Sequence, residues 1–160
     1  MGTIINSLKD LQKVIDGEKK KGKRVVFGNG CFDILHVGHI RYLKGAKALG
    51  DLLIVAVNDD SSVTGLGKRK KVVTMANERA EIIAAIDCVD YVIIFSDPTV
   101  ERLLITLKPD IHAKGTDYTV DSVPEGKIVR SYGGEVAIVG DPKDHSTRDI
   151  IKVIKEIDEK

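Results

Sequence analysis

The sequence contains little cysteine, and its arrangement suggests neither a metal site nor a disulfide scaffold. Only two of the 160 residues are cysteine, Cys31 and Cys88. They lie far apart, so they form neither a CxxC motif nor the framework of a small disulfide-rich fold. An ordinary apolar core must therefore hold the chain together, and both thiols are expected to be reduced.

Excess charge, a long apolar run and a secretory leader are also missing. Lys and Arg total 25 against 24 for Asp and Glu, so no overall charge favours nucleic acid or a membrane surface. Hydrophobic residues make up 42% of the chain, but no run of them could span a bilayer. The start, MGTIINS, resembles no signal peptide, and Asn6 departs from the myristoylation pattern. These absences predict one cytoplasmic domain over residues 1–160, with neither nucleic acid nor membrane as a partner.

The sequence alternates short apolar runs with segments of helical periodicity. The first helix is predicted over residues 7–18, starting at Ser7 within a helical lead-in of residues 1–23. Later helices are expected over residues 38–49 and 100–107 and around residues 127–132. Asn77 is expected to cap a helix that ends near residue 87, and Ser146 to cap the final helix. A polar, basic loop is expected over residues 59–71. Strands are predicted for the runs RVVFGN, LLIVAVN, YVIIF, DIHA and EVAIVG.

Strands that alternate with helices predict an α/β fold, a Rossmann-like parallel sheet with helices on both faces. Residues 24–160 would form this core, together with a C-terminal helix. Ligands of such sheets bind beyond the carboxyl ends of the strands, where the strand order reverses. The loops that follow the strands are therefore the places to look for a site: residues 28–39, 58–71, 114–118 and 140–147.

The loop GNGCFDILHVGH, residues 28–39, leads from the first core strand into a helix. A dinucleotide fingerprint would require a third glycine where Asp33 stands, and it has no use for two imidazoles. A zinc site would require more ligands than His36 and His39 supply, and no metal-ligating motif provides them. A glycine-rich turn at a helix N-terminus exposes backbone N–H groups, and nearby imidazole N–H groups can stabilise phosphate charge. Of the three ligands, phosphate is favoured.

The segment NGCFDILHVGH resembles the GxFDxxHxGH motif of the cytidylyltransferase-like nucleotidyltransferase superfamily. The chain is most similar to the members that make ADP-heptose from D-glycero-D-manno-heptose 1-phosphate. The resemblance extends through HIRYLKGAKALGDLLIVAVNDD, AAIDCVDYVIIF and KPDIHAKGTDY to HSTRDII, which covers almost the whole chain. Many such relatives carry a fused sugar kinase, for which this chain has no room, so a separate kinase is expected.

The resemblance implies roles for individual residues. His36 and His39 would contact the triphosphate and stabilise the transition state, and Arg79 matches a family arginine that reaches the substrate phosphates. Independently of the resemblance, Lys68 or Lys71, in the basic run after the second strand, could fold over the triphosphate and neutralise the departing pyrophosphate. Asp33 would hold the loop and face the acceptor substrate, and Asp60 would also face the acceptor. The sequence departs from the heptose enzymes at Thr116, where a second glycine is common, and at His145 and Arg148. The nucleotide would be bound by Asn29, Gly30, Cys31, Phe32, Gly38, Lys114, Gly115, Asp117, Ser146 and Thr147.

The implied reaction is transfer of AMP from ATP to a sugar 1-phosphate, with release of pyrophosphate. Magnesium would arrive with the triphosphate rather than at a protein metal site. A homodimer is expected because many relatives are dimers. Four alternatives stay open at this point: glycerol 3-phosphate with CTP, a flavin mononucleotide with ATP, a non-catalytic nucleotide-binding regulator and an NAD-binding module.

Overall fold

The structure is a computed structural model that describes residues 1–65, 67 and 70–158. Its described residues form one six-stranded sheet in which every pairing is parallel, with the strand order β1-β4-β3-β2-β5-β6. The predicted Rossmann-like α/β class is confirmed. The strands are β1 Thr3–Ile4, β2 Val25–Gly30, β3 Leu52–Asn58, β4 Tyr91–Phe95, β5 Ile111–Lys114 and β6 Glu135–Ile138. The helices are α1 Leu8–Lys20, α2 Val37–Lys47, α3 Asp60–Gly65, α4 Ala76–Ala84, α5 Glu101–Leu107, α6 Gly126–Ser131 and α7 Thr147–Asp158.

Two apolar layers sandwich the sheet, because neighbouring residues of a strand point to opposite faces. Val25 and Phe27 of β2 pack with α1, α5 and α6, whereas Val26 packs with α2 and α4. All seven residues of β3 are buried, which is the reason that LLIVAVN is an almost continuous apolar run rather than an alternating one. The sheet is therefore covered on both faces, as the sequence predicts.

Three predicted boundaries were wrong. The lead-in is not purely helical, since Thr3–Ile4 pairs with β4 at the edge of the sheet. The predicted loop over residues 59–71 begins instead with α3. Asn77 lies inside α4 rather than capping it: Thr74 is held by the Asp33 carboxylate, so the helix starts after Met75, whose N–H donates to Glu78 at 2.9 Å.

Within the described residues no helix is long and apolar enough to cross a membrane.

Candidate active site

A cleft of about 550 Å³ opens at the carboxyl ends of β2, β5 and β6. It lies where the strand order reverses, since β2 pairs with β3 on one side and with β5 on the other. The structure brings thirteen of the predicted residues to this cleft, although they come from three distant parts of the chain. They are Asn29, Gly30, Cys31, Phe32, Asp33, His36, Gly38, His39, Lys114, Gly115, Asp117, Ser146 and Thr147.

Two other predicted site residues that the structure describes, Asp60 and Arg79, are not among those that line the cleft. Arg79 is buried, with a fully covered side chain, and forms an ion pair with Asp60 at 2.6 Å. The structure therefore places Arg79 and Asp60 against each other rather than in the cleft. Lys68 lies outside the described residues.

The two histidines form the N-terminal cap of α2. The Nδ1 atom of His36 accepts a hydrogen bond from the Gly38 N–H at 3.1 Å, and that of His39 accepts one from the His36 N–H at 3.3 Å. The rings stack with their centroids 3.9 Å apart. Because each Nδ1 acts as an acceptor, the neutral rings carry their protons on Nε2. Each ring thus retains one N–H donor for a ligand in the cleft.

Both imidazoles favour the neutral form. Burial lowers the pKa of His39 to about 4, and the neighbouring His36 adds to this effect. Burial and the nearby His145 also lower the pKa of His36, although Asp149 acts in the opposite direction. At neutral pH the pair can therefore donate hydrogen bonds to an anion without carrying a full positive charge.

Two glycines are required by close contacts in this region. A Cβ at Gly38 would lie 2.9 Å from Nδ1 and Cε1 of His36 and would displace the ring from its capping position. A Cβ at Gly28 would lie 2.5 Å from the hydroxyl of Tyr42, which donates to the carbonyl of Ala113 at 2.8 Å. The Tyr42 hydrogen bond joins α2 to β5 at the place where the strand order reverses. Gly28 leaves room for the Tyr42 hydroxyl and so allows the two sides of the cleft to meet.

The opposite wall consists of the loops after β5 and β6, which are tied together. The Thr116 hydroxyl donates to the carbonyl of Asp141 at 2.7 Å, and Asp117 pairs with Lys143 at 2.9 Å. Burial alone would raise the pKa of Asp117, but the hydrogen bond from Lys143 and the charge of Lys114 hold it below its ordinary value. Lys114 also lies over the Tyr118 ring, 4.7 Å from its centroid.

The N-terminus of α7 forms a third wall. Ser146 Oγ donates to the Asp149 carboxylate at 2.6 Å and accepts from the Asp149 N–H at 3.2 Å, which confirms the predicted cap. Thr147 Oγ1 donates to the carbonyl of Ile34 and so joins α7 to the loop after β2. His145 and Arg148 also line the cleft. Two helix N-termini therefore meet at one cleft, an arrangement that attracts anions.

One buried acceptor in the cleft lacks a partner. The side-chain oxygen of Asn29 is buried but makes no hydrogen bond in the described part of the chain, so a ligand hydroxyl or amine could satisfy it. Across those same residues, no three His, Cys, Asp or Glu side chains are grouped so that they could hold a metal ion.

Sequence reasoning did not single out Tyr42 or Lys143, although both line the cleft. Tyr42 has the spacing of an ordinary α2 core residue, and only its hydroxyl bond to β5 reveals its position. Lys143 lies in the 140–147 loop, which the predicted topology had marked for search, but nothing local distinguishes it from a surface lysine.

Comparisons with known proteins agree with this geometry. The family profile described as cytidylyltransferase-like matches residues 27–156. The bifunctional protein HldE of Geobacter sulfurreducens is 46% identical over 150 residues, which are 94% of this chain and 31% of that protein. HldE of Pelobacter propionicus is 48% identical over 146 residues, 91% of this chain and 30% of that protein. The chain thus spans about a third of the length of these curated relatives.

Two solved structures share the fold. The lipopolysaccharide core biosynthesis protein of Thermoplasma volcanium is 32% identical, with a TM-score of 0.67 over 76% of this chain and 100% of its own. The pantoate-beta-alanine ligase of Francisella tularensis superposes with a TM-score of 0.70 over 98% of this chain and 78% of its own. At 17% identity the ligase supports the fold alone. The extent of the profile match and the identity to HldE establish that the chain belongs to the cytidylyltransferase-like family of nucleotidyltransferases.

Proposed function

We propose that the chain transfers AMP from ATP to D-glycero-D-manno-heptose 1-phosphate, giving ADP-heptose and pyrophosphate. The observation that carries the proposal is the His36/His39 pair, two neutral imidazoles whose Nε2–H donors are available at the N-terminus of α2. Donors fixed before the reaction stabilise charge that develops on phosphate oxygens. A regulator that only binds nucleotide would have no need for such a pair.

In this reaction an oxygen of the sugar phosphate attacks the α-phosphorus of ATP. A new P–O bond forms, the bond from the α-phosphorus to the bridging oxygen breaks, and pyrophosphate leaves with that oxygen. Because the second pKa of a phosphate monoester is about 6, the nucleophile is already ionised near neutral pH. No general base is required, so the protein contributes positioning and charge stabilisation.

The walls of the cleft suggest how the triphosphate is oriented. His36 and His39 would donate to the α-phosphate, and Ser146 and Thr147 at the start of α7 would bind the β- and γ-phosphates. Lys114 and Asp117, on the opposite wall, would contact the nucleoside. The cleft lining supports this division because residues at the N-termini of α2 and α7 both line the cleft, whereas Lys114 and Asp117 come from the loop after β5.

Magnesium is proposed as part of the substrate, the MgATP complex. Mg²⁺ keeps several water ligands and is commonly bound through substrate phosphates rather than by a cage of protein groups. When bound, it would neutralise charge on the phosphates, while the residues named above bind and orient the nucleotide.

The choice of heptose as acceptor is supported by similarity rather than by geometry. The sequence resembles ADP-heptose-forming enzymes over nearly its whole length, and the two HldE proteins described above are 46% and 48% identical to it. The name of the Thermoplasma volcanium protein, which refers to lipopolysaccharide core biosynthesis, is consistent with a sugar acceptor.

A pyrophosphate-release assay tests the proposal directly. ATP, CTP and GTP would each be combined with heptose 1-phosphate, glycerol 3-phosphate and flavin mononucleotide. We expect turnover with ATP and heptose 1-phosphate, at a kcat/KM at least tenfold above any other pair. Turnover with another pair would reassign the acceptor or the nucleotide. Nucleotide binding without any turnover would instead identify a regulator, and tight binding of NAD alone would identify a redox module.

A homodimer is also part of the proposal. Helix α7 has no buried residue, and its apolar side chains Val153, Ile154 and Ile157 are each at least half exposed. Such a stripe favours contact with another protein surface. Light scattering should give about twice the chain mass, and Ile154→Glu should shift the mass toward the monomer. A monomeric mass at every protein concentration would refute the homodimer and leave the proposed reaction unaffected.

A further inference from the structure

Phe32 occupies an unfavourable backbone conformation inside the phosphate loop. Its φ is +52°, a left-handed value that bulky residues adopt only when their surroundings enforce it. The ring is buried, with 5% exposure, and meets the His39 ring edge-on with the centroids 5.3 Å apart. The conformation of Phe32 therefore affects where the His39 imidazole lies.

On one side of Phe32, the Asp33 carboxylate binds a segment forty residues away. It accepts hydrogen bonds from the Val73 N–H at 3.0 and 3.1 Å and from the Thr74 N–H at 2.9 Å. The Thr74 hydroxyl adds bonds to the Asp33 backbone carbonyl at 2.7 Å and to its carboxylate at 3.2 Å. Both carboxylate oxygens thus accept hydrogen bonds within the protein, which agrees with the loop-holding role that the resemblance implied.

On the other side of Phe32, the buried guanidinium of Arg79 binds the carbonyl of Cys31. The same side chain donates to the carbonyls of Thr74 at 3.0 Å and Asn58 at 2.8 Å, and its charge is paired with Asp60. A closed circuit results: the backbone runs from Cys31 to Asp33, Asp33 holds Thr74, and Arg79 links Thr74 back to Cys31. Phe32 lies in the middle of this circuit.

We propose that Asp33 and Arg79 are positioning residues that hold the Phe32 turn and thereby fix the His36/His39 pair for catalysis. The identity of the substrate on which the histidines act rests on the proposed function. The positioning of the histidines by Asp33 and Arg79 does not depend on that function. Arg79 would have to break four protein hydrogen bonds to reach a ligand, and it does not line the cleft. Only a planar guanidinium can direct donors to three carbonyls and a carboxylate at once, so lysine should not substitute for it.

The first test requires no substrate. Imidazole C–H resonances would be followed by NMR over pH 3.5–8 in the wild type and in the Asp33→Asn, Thr74→Val and Arg79→Lys variants. Burial against its neighbours keeps the His39 pKa near 4. Once the circuit is broken, we expect this pKa to rise by at least one unit in Asp33→Asn and Arg79→Lys, and by less in Thr74→Val. Arg102→Lys serves as the control, because Arg102 makes an exposed pair with Asp97 on the opposite face of the sheet.

The second test is kinetic, in the full chain with MgATP and acceptor. We expect kcat to fall about 10- to 100-fold in Arg79→Lys and Asp33→Asn, with the KM of the acceptor changed less than threefold. An unchanged His39 pKa with a raised acceptor KM in Asp33→Asn would overturn the proposal and make Asp33 an acceptor ligand. An unchanged His39 pKa with weaker MgATP binding in Arg79→Lys would overturn it by making Arg79 a phosphate ligand.

The two tests separate the two proposals. If no acceptor is turned over, the proposed function fails while the NMR titration still reports on positioning. If the wild type turns over normally and the His39 pKa is the same in every variant, only the positioning role fails. Thr74→Val removes a single hydroxyl, so it provides a folded variant even if the two charge substitutions unfold the chain.

Discussion

The two nitrogens of each imidazole in the His36/His39 pair have different tasks. Nδ1 caps α2, and Nε2–H remains for the ligand. A substitution that removes the whole ring therefore mixes two effects, loss of the cap and loss of the donor. Asparagine separates them, because its side-chain oxygen can replace Nδ1 as a cap while nothing replaces Nε2–H.

His36→Asn should preserve stability and lose activity. We expect its kcat to fall about 100- to 1000-fold, the range found when one preorganised donor is removed, with little change in the KM of ATP. His36→Ala should lose the same activity and, in addition, about 1 kcal/mol of stability from the missing cap. Urea denaturation and steady-state kinetics measure the two quantities. Wild-type turnover in His36→Asn would exclude a catalytic role for Nε2–H.

The lowered pKa of His39 predicts how stability depends on pH. Since the folded state holds this pKa near 4 against 6.5 for a free imidazole, the unfolded chain binds more protons between these values. Stability is therefore greatest above pH 6.5 and is lost as the pH falls to about 4, by at most about 3.5 kcal/mol at about 1.4 kcal/mol per pKa unit. Denaturation at pH 5 and 7 measures the difference, and His39→Gln should reduce it. If the wild type and His39→Gln lost the same stability between pH 7 and pH 5, His39 would not be the group responsible.

At the scale of elements, the cleft depends on where helices begin. Helices α2 and α7 both start at its edge, so a change in either cap moves groups that face the ligand. In α7 this dependence is strong because the helix buries none of its residues, and its N-terminus is tied down through Ser146 and Thr147.

Three substitutions of Ser146 separate the cap of α7 from phosphate binding. Ser146→Asn keeps a capping oxygen and should bind ATP within a few-fold of the wild type. Ser146→Asp also keeps the cap, but its charge should repel the triphosphate and weaken binding at least tenfold. Ser146→Ala should fray the first turn, which hydrogen exchange over residues 147–150 would detect. If Ser146→Asp binds ATP normally, the triphosphate does not lie at this helix.

At the scale of the whole molecule, the N-terminal residues complete the sheet. Backbone bonds join Gly2 to Ala84 at 2.7 Å, Thr3 to Asp90 at 2.8 Å and Ile5 to Val92 at 2.9 Å. They cover the edge of β4, which would otherwise expose unpaired backbone groups to other chains. The cleft lies several strands away, so this edge concerns stability rather than chemistry.

Deletion of residues 1–5 should lower stability and leave the chemistry intact. Loss of three backbone hydrogen bonds at about 1 kcal/mol each predicts a fall in Tm of roughly 5–10 °C. Thr3→Pro, which removes one of these donors, should show about a third of the effect. Calorimetry and the pyrophosphate assay at 20 °C measure the two properties. A large loss of kcat at that temperature would mean that the edge strand influences the cleft.

Features that depend on neighbouring residues could be read from the sequence. The cap at Ser7, the buried run of β3 and the turn with His36 and His39 each need only a few adjacent residues, so periodicity and capping chemistry identify them. Parallel strands place their carboxyl ends at the same edge of the sheet, which is why three of the four loops marked for search, those after β2, β5 and β6, supply most of the cleft lining. The β1 strand has only two residues, too few for a periodic signal.

Contacts between distant segments required the tertiary structure. The sequence indicated that Arg79 is important, but as a residue that reaches substrate phosphates, whereas folding buries its side chain against Asp60 and backbone carbonyls. No local pattern reveals this, because the partners of Arg79 at Thr74, Asn58 and Cys31 are brought together only when the sheet and its helices pack. The sequence by itself therefore determined the fold and the phosphate loop, and long-range packing determined which charged residues reach the cleft.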